Sequence, residues 1–465
     1  MSSSPSHRLS EIGLIALLSA PFLTVMGAFS VIVAAPTIKA ELGATPEEVS
    51  AIVAGYGLAY AAALTPAGRL GDCYGRRRAF VVGLGAFAIM GVACACAPTV
   101  QALIVARMLQ GLAAALAFPQ VLSIIRVVAN GDVERSRAFA AFGVALGLSG
   151  VAGQAVSGAL VAADLAGLSW RSVFLINVPI TLIACPIVLR HIPETRAVPT
   201  PGLDLGGALM CAAGLALLLY TVIRLPQQGF SPLLAGTALL AAAILTTFAF
   251  DQRRKTCQGK QPLFPTTLLR GSTFGWGLAI AFLFHTTVVA FPLAFALYLQ
   301  IGHGLSAWYT GLMGMPTTLA FLVTSSAAVR YGSKLPNAMA VGGFLTGTAL
   351  ILCAVAALAL PDMTVALIPG LILAGCGQGI FLPPLLNAVL ARTEPRDAGT
   401  AAGVLATAQQ VGGAFGAAAV NAIYFSTAAA GPHAVAFGAA AAVPGVAAVV
   451  AAMLLRINFR EPATS

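Results

Sequence analysis

Within the interior of the long apolar stretches of this chain only two basic side chains occur, Arg107 in the run 100–125 and His285 in the run 272–299. A guanidinium stays protonated, so Arg107 can attract an anionic group or organise a hydrogen-bond relay; its structural alternative is to bond helix carbonyls. Histidine, with an unperturbed pKa of about 6.5, is the one membrane group here able to titrate near neutrality. A neutral imidazole bonded to a helix carbonyl or to a neighbouring threonine is the alternative for His285. Tyr56, Tyr60, Gln120, Gln154, Asn177, Phe291, Gln378, Asn387, Gln409 and Asn421 are candidates to line a cavity, although Asn and Gln also bind helices to one another in apolar surroundings. Phe282, Phe284, Phe291 and Phe295 offer stacking or cation–π surfaces to a planar amphipath, or else a stripe facing lipid.

The acids are Glu11, Glu41, Glu47, Glu48, Asp72, Asp132, Glu134, Asp164, Glu194, Asp204, Asp251, Asp362, Glu394, Asp397 and Glu461, and none falls inside an apolar run. A charge at the centre of a bilayer costs about 2.5 kcal/mol or more, so their absence is informative. With no carboxylate to balance a permanent cation, neutral or anionic ligands are expected. No cluster of metal-ligating residues and no nucleophile with a base lies on the apolar runs, which argues against a membrane-embedded enzyme. The cysteines at 73, 94, 96, 185, 211, 257, 353 and 376 show no repeated spacing, so no metal site, disulfide framework or cofactor is expected.

The elements that carry these residues follow from composition. The 465 residues include 25 Lys+Arg and 15 Asp+Glu, 9% charged against 59% hydrophobic, with a mean hydropathy of +0.92. Such a chain cannot cover a water-soluble globule, which excludes a cytoplasmic enzyme and a disordered chain, and also a nucleic-acid binder despite a pI near 9.5. It predicts an all-α membrane protein with lipid as its solvent. A hydrocarbon core needs about 20 apolar residues per helix, and fourteen such windows occur, at 12–34, 50–67, 79–97, 100–125, 138–161, 172–189, 205–223, 231–250, 272–299, 307–329, 337–360, 364–390, 398–426 and 433–455. The first, behind Arg8, is read as a retained span and not as a secretory signal. Pro179 and Pro186 are expected to interrupt the sixth.

Sorting the cations by side tests this count, because Lys and Arg concentrate in cytoplasmic loops. With both termini cytoplasmic, twenty-one of the 25 fall inside, only Lys39, Arg171 and Arg224 fall outside, and Arg107 lies within the fourth span. A miscount by one span would scramble that division. The expected location is the cytoplasmic (inner) membrane of a bacterium, multi-pass.

An internal repeat divides the spans. Glu134-Arg135-Ser136-Arg137-Ala138 resembles Glu394-Pro395-Arg396-Asp397-Ala398, Gly75 resembles Gly332, and Pro119 resembles Pro383, at offsets of 260, 257 and 264. This predicts six helices, two inserted helices and six more, with limits 1–200, 201–256 and 257–465. By the last offset Leu371 stands where Arg107 does.

The second and third spans are joined by Gly68-Arg69-Leu70-Gly71-Asp72-Cys73-Tyr74-Gly75-Arg76-Arg77-Arg78, read as a loop in which glycines allow a tight turn and Asp72 accepts from a neighbouring helix N-terminus. Its Gly-x-Leu-x-Asp-x-x-Gly-Arg-Arg order resembles the signature loop of the major facilitator superfamily. Arg107-Met108-Leu109-Gln110-Gly111, the phrase Trp170 to Pro179, and Gln409-Gln410-Val411-Gly412-Gly413-Ala414-Phe415-Gly416 are similar to elements of its fourteen-helix drug:proton antiporter branch. Two departures stand out: Gly27 occupies the place of that branch's first-span acid, and Gln154 replaces the proline of the fifth-span motif.

The resemblance implies two six-helix bundles around a central cavity and efflux of small amphipathic compounds, whether drugs or toxic or self-made metabolites, by alternating access. It also implies proton coupling and a cavity-facing Arg107, with the signature residues Gly68, Asp72, Gly75, Arg76 and Arg77 at the gate. The partners expected are a small-molecule substrate, protons and the lipid bilayer, with no nucleic acid, in a monomer. The alternatives are a dedicated metabolite importer or facilitator and a membrane sensor that does not transport.

Overall fold

The computed structural model describes residues 10–459 apart from 130, 197–203, 229–230, 261, 264–271, 332–336 and 391–397. Among the described residues there is no strand. The first half holds α1 (Glu11–Leu17), α2 (Ser19–Leu42), α3 (Pro46–Tyr74), α4 (Arg76–Ala95), α5 (Val100–Val128), α6 (Gly131–Ala163), α7 (Ser172–Leu175) and α8 (Asn177–His191). Then come α9 (Leu205–Gln228) and α10 (Pro232–Cys257). The second half holds α11 (Ser272–Leu297), α12 (Ala307–Tyr331), α13 (Ala338–Ala359), α14 (Ile368–Leu390), α15 (Ala398–Ala428) and α16 (His433–Asn458).

Each of the fourteen apolar windows is therefore helical. By length and composition eleven of the described helices can cross a membrane, or twelve with the bent α3, and a shorter apolar helix runs Leu205–Leu218. The sixth window departs from expectation. The helix breaks at Ile176 and restarts at Asn177, so Pro179 falls in the first turn, where its missing N–H leaves no bond unmade. Only Pro186 lies within the helix. Of the repeat, Gly332 and Glu394 to Asp397 lie outside the described residues.

Helix starts follow local chemistry. Thr45 and Glu48 form a reciprocal cap on α3 ahead of Pro46, Thr99 caps α5, and Ser231 caps α10. Lipid gives helices no hydrophobic reason to associate, so close packing through small residues holds them. A Cβ on Gly111 of α5 would collide with the Tyr56 carbonyl oxygen of α3, and one on Gly375 of α14 with the Thr317 carbonyl oxygen of α12. These glycines stand 264 apart, the offset of Pro119 and Pro383, so the repeat is written in backbone contacts as well as in residue types. The halves meet along α3 with α15 and α6 with α12, and α9 lies against α3 and α15.

Asp204, just before α9, ties α9 and α10 together. Its carboxylate accepts from the Gly207 N–H at 2.8 Å, Gln252 Nε2 at 2.8 Å, Lys255 Nζ at 2.8 Å and the Leu263 N–H at 3.1 Å. Burial by itself would push the Asp204 carboxyl up, but bonds from Lys255, Gln252, Gly207 and Leu263 outweigh it and hold it at about 2. A depressed carboxyl stabilises the fold above the ordinary carboxylate range and loses that contribution only as pH falls through its folded value, so this tie is intact at neutral pH.

Gly111→Val is expected to cost about 1–3 kcal/mol through overpacking against α3. Gly85→Val, where an added Cβ meets nothing within 4 Å, is expected to leave stability unchanged. Unfolding midpoints in detergent measure the difference; equal midpoints would refute the contact.

Candidate functional site

Between the halves lies a cavity of about 1200 Å³. Its first-half wall is aromatic. Tyr56 and Tyr60, one turn apart on α3, stack at 6.4 Å; Phe118 of α5 meets Tyr60 edge-on at 5.9 Å, and Phe142 of α6 meets Phe118 at 5.8 Å. The Tyr56 hydroxyl donates to the Thr24 carbonyl at 3.1 Å, which fixes its ring. The second-half wall is richer in hydrogen-bonding groups: His285 of α11, Gln378 of α14, and Gln409 and Gln410 of α15, with Phe291 and Phe295 beside them. Gln154 joins the two walls, its Nε2 donating to Thr318 Oγ1 at 2.6 Å. Where the antiporter branch has a proline, this chain thus has a hydrogen bond between its halves.

His285 lines this cavity, and its buried Nδ1 has no hydrogen-bond partner. The neighbouring threonines are engaged elsewhere, Thr286 Oγ1 with the Leu283 carbonyl and Thr287 Oγ1 with the Phe284 carbonyl, both at 2.7 Å. Cavity walls therefore hold one imidazole nitrogen with no protein partner. Of the other phenylalanines of α11, Phe284 stacks on Phe381 at 3.9 Å and Phe282 meets Phe415; neither lines the cavity.

Arg107 is not on the cavity surface, contrary to the expectation from sequence. It is 1% exposed and sits behind Tyr56, its guanidinium 4.2 Å from the Tyr56 ring centroid and 5.7 Å from that of Phe174. Nη1 donates to Gln110 Oε1 at 2.7 Å, and Nε has no partner. Among the described residues no carboxylate comes within ion-pair distance. Faces of two aromatic rings are thus the main compensation for a desolvated cation, an interaction worth about 2 kcal/mol or more when dry. Gly27 faces the α4 side, where an added Cβ would make ordinary contact with Phe87 at 3.6 Å.

The signature segment is helix where a loop was expected. α3 bends by 50° between Leu64 and Pro66 but stays helical to Tyr74, and only Gly75, at φ +114°, turns the chain into α4. Asp72 does not cap a neighbouring helix; it pairs with Arg76 at 2.7 Å. The cap on α4 is Glu194, which accepts from the N–H groups of Arg77 at 3.0 Å and Arg78 at 3.2 Å. Arg77 Nη1 also donates to the carbonyls of Leu189 and Ile192. Sequence reasoning missed Glu194, whose one signal is that it is the only acid between Asp164 and Asp204.

Of the expected cavity residues, Tyr56, Tyr60, Gln154, Phe291, Gln378 and Gln409 line the cavity, as do Gly68 and Asp72 at its edge. Gln120 does not: Nε2 donates to the Ala67 and Leu116 carbonyls, in the contact between α5 and α3. Asn177 bonds the Phe174 carbonyl. The side chain of Asn387 lies outside the described residues. Phe118, Phe142, Gln410 and Thr318 were missed; of these only Gln410, beside Gln409, carried a signal.

At the end away from the signature segment the halves are fastened together. Asn421 Nδ2 donates to Ser50 Oγ at 2.7 Å and to the Pro46 carbonyl, Gln300 Nε2 donates to the Val33 carbonyl at 2.9 Å, and Lys39 lies 5.1 Å over the Phe425 ring. Gln300 sits in a π-helical turn, Tyr298–Gly302, that ends α11. At the opposite end the cavity is lined by Arg126 and Lys260, both exposed, so it reaches solvent there.

Gln154→Leu and Thr318→Val are each expected to lower the unfolding midpoint in detergent. The double variant should lose less than the sum, a coupling of about 1 kcal/mol. Strictly additive losses would show that the bond between the halves does not contribute.

Comparisons with known proteins bear on this architecture. Residues 17–417 match the Major Facilitator Superfamily. The chain is 37% identical to the probable actinorhodin transporter of Streptomyces coelicolor, over 84% of this chain and 68% of that protein, and 30% identical to the methylenomycin A resistance protein of the same organism, over 85% and 82%. Among solved structures, a peptide transporter POT crystallised with sulfate matches with a TM-score of 0.69 at 18% identity, over 97% of this chain and 96% of that one, and so shares the fold. The helical bundles, the cavity between them and the match across most of the chain agree: this protein belongs to the Major Facilitator Superfamily of membrane transporters.

Proposed function

We propose that this chain is a secondary efflux transporter that exports small amphipathic compounds, drugs or self-made metabolites, by alternating access. The observation that carries the reading is the cavity: shared between halves, fastened at one end by Asn421 and Gln300, and in contact with solvent at the end holding Arg126 and Lys260. A cavity of that kind loads from the open end and releases when the fastened end parts. Relatives that carry actinorhodin transport and methylenomycin A resistance in their names support export of bioactive small molecules. The cation-rich end is the cytoplasmic one by the distribution of Lys and Arg, with both termini on that side of a bacterial inner membrane. We divide the working unit, a monomer, into bundles at 1–200 and 257–465 with an inserted pair at 201–256.

Substrates are neutral or anionic, because the acid that lines the cavity, Asp72, is already paired with Arg76. Export is driven by protons, with His285 as carrier: its free Nδ1 in the cavity wall can take and give up a proton as the site is wetted and dried in turn. Arg107 acts from behind Tyr56 as a fixed positive charge that disfavours cations in the cavity. The signature residues Gly68, Asp72, Gly75, Arg76 and Arg77 serve as the hinge of the cytoplasmic end.

In proteoliposomes the protein is expected to move neutral and acidic amphipaths outward, faster with a pH gradient than without one, and to ignore quaternary ammonium dyes. A panel in which those dyes are the best substrates overturns the charge preference. His285→Ala is expected to abolish the response to the pH gradient while downhill exchange continues; gradient-driven export at the parent rate would remove His285 from the mechanism.

A further inference from the structure

The inserted helices α9 and α10 contribute to the mouth of the cavity. The end of α10 and the linker that leaves it pass along the cavity's solvent-facing end, where Thr256 of α10 and Lys260 and Pro262 of the linker line it. Two clamps keep it there. Asp204, its side chain 5% exposed, takes the Leu263 N–H together with Gln252 and Lys255 from the end of α10, and Gln252 is fully buried. From the first half, Arg69 Nη2 donates to the Pro262 carbonyl at 2.7 Å. One carboxylate has roughly four lone-pair directions, and here four donors converge on it, from the start of α9, the end of α10 and the linker. Such a junction is more than is needed to join two spans.

Charge at this mouth is one-sided. The ionisable residues lining its open end are Arg69, Arg126, Lys260 and Asp72; Asp72 pairs with Arg76 at 2.7 Å, Lys255 with both Asp204 and Asp251, and Arg69 lies in the field of Asp204 and Asp72, so the excess positive charge of the rim is that of Arg126 and Lys260. A cleft with cations on its rim and low-dielectric walls focuses a positive potential and raises the local concentration of anions. We infer that Lys260, held at the mouth by the Asp204 junction, is a specificity-determining residue that selects compounds carrying a negative charge, and that Asp204 is the positioning residue for it. This rests on the reading of the cavity as the transport path.

Three pyrene probes of one shape, carrying a carboxylate, a hydroxyl or a trimethylammonium group, test the idea in proteoliposomes at low and high KCl. The parent is expected to prefer the carboxylate over the alcohol, with a ratio that falls as salt rises. Lys260→Glu should reduce that ratio about tenfold and abolish its salt dependence. Asp204→Ala is the discriminating variant. Removing a negative charge would raise the preference for anions if net charge alone mattered, whereas releasing the linker lowers it, and Asp204→Glu should recover part of the loss. An unchanged ratio in Lys260→Glu, or a raised one in Asp204→Ala, overturns the inference. Should Asp204→Ala fail to fold, Asp204→Asn and the exposed Lys260 site decide. If the parent transports none of the probes, export is refuted, and fluorescence anisotropy of the same probes on the detergent-solubilised protein still reads the ratio.

Discussion

Hydrocarbon offers no partner to a polar group and no hydrophobic incentive for one helix to meet another, and both facts bear on every contact in this protein. Helices must approach until their backbones touch. Gly111 under the Tyr56 carbonyl and Gly375 under the Thr317 carbonyl do this at equivalent places in the two halves. The same device recurs between the halves, where a Cβ on Gly158 of α6 would collide with the Ala307 carbonyl oxygen of α12, and one on Gly311 of α12 with the Gln154 carbonyl oxygen of α6. Hydrogen bonds add to this packing, Gln154 to Thr318 in the middle and Asn421 and Gln300 at the closed end. Each is worth about 1 kcal/mol net, strong enough to favour one arrangement and weak enough to be exchanged for another.

The same solvent governs the charges. Within the bundle Arg107 is held by two aromatic faces and one glutamine oxygen, with Tyr56 between it and the cavity. That arrangement places a positive charge behind the cavity wall without exposing the guanidinium to the cavity. At the ends of the helices, acids organise arginines and lysines into fixed geometry: Glu194 caps α4, Asp72 holds Arg76, and Asp204 gathers α9, α10 and the linker that follows. Charge is scarce in this chain, and most of the acids that remain near the cavity are committed to structure. The cavity wall itself is mostly aromatic faces, amides and one imidazole.

Much of this could be read from the residue string. Fourteen apolar windows became helices because backbone groups in lipid have no other way to be satisfied. The repeat found at an offset of 264 reappeared as a backbone contact, because Gly is the residue that permits it. Helix breaks were less legible: Pro179 marks the start of a helix and not an interruption, since a proline in the first turn removes no bond.

What the sequence by itself determined is the solvent, the helices and the family, because hydropathy and motif order are local properties of the chain. The neighbours of each polar side chain were decided by tertiary structure alone. Arg107 lies behind Tyr56 and not on the cavity, Gln120 belongs to a helix seam while Gln154 bridges the halves, and Glu194 and not Asp72 caps α4. Rotation of a helix by a fraction of a turn moves a glutamine from the seam to the cavity, and in a chain apolar on all faces no periodicity records that rotation. Only the packing of neighbouring helices sets it.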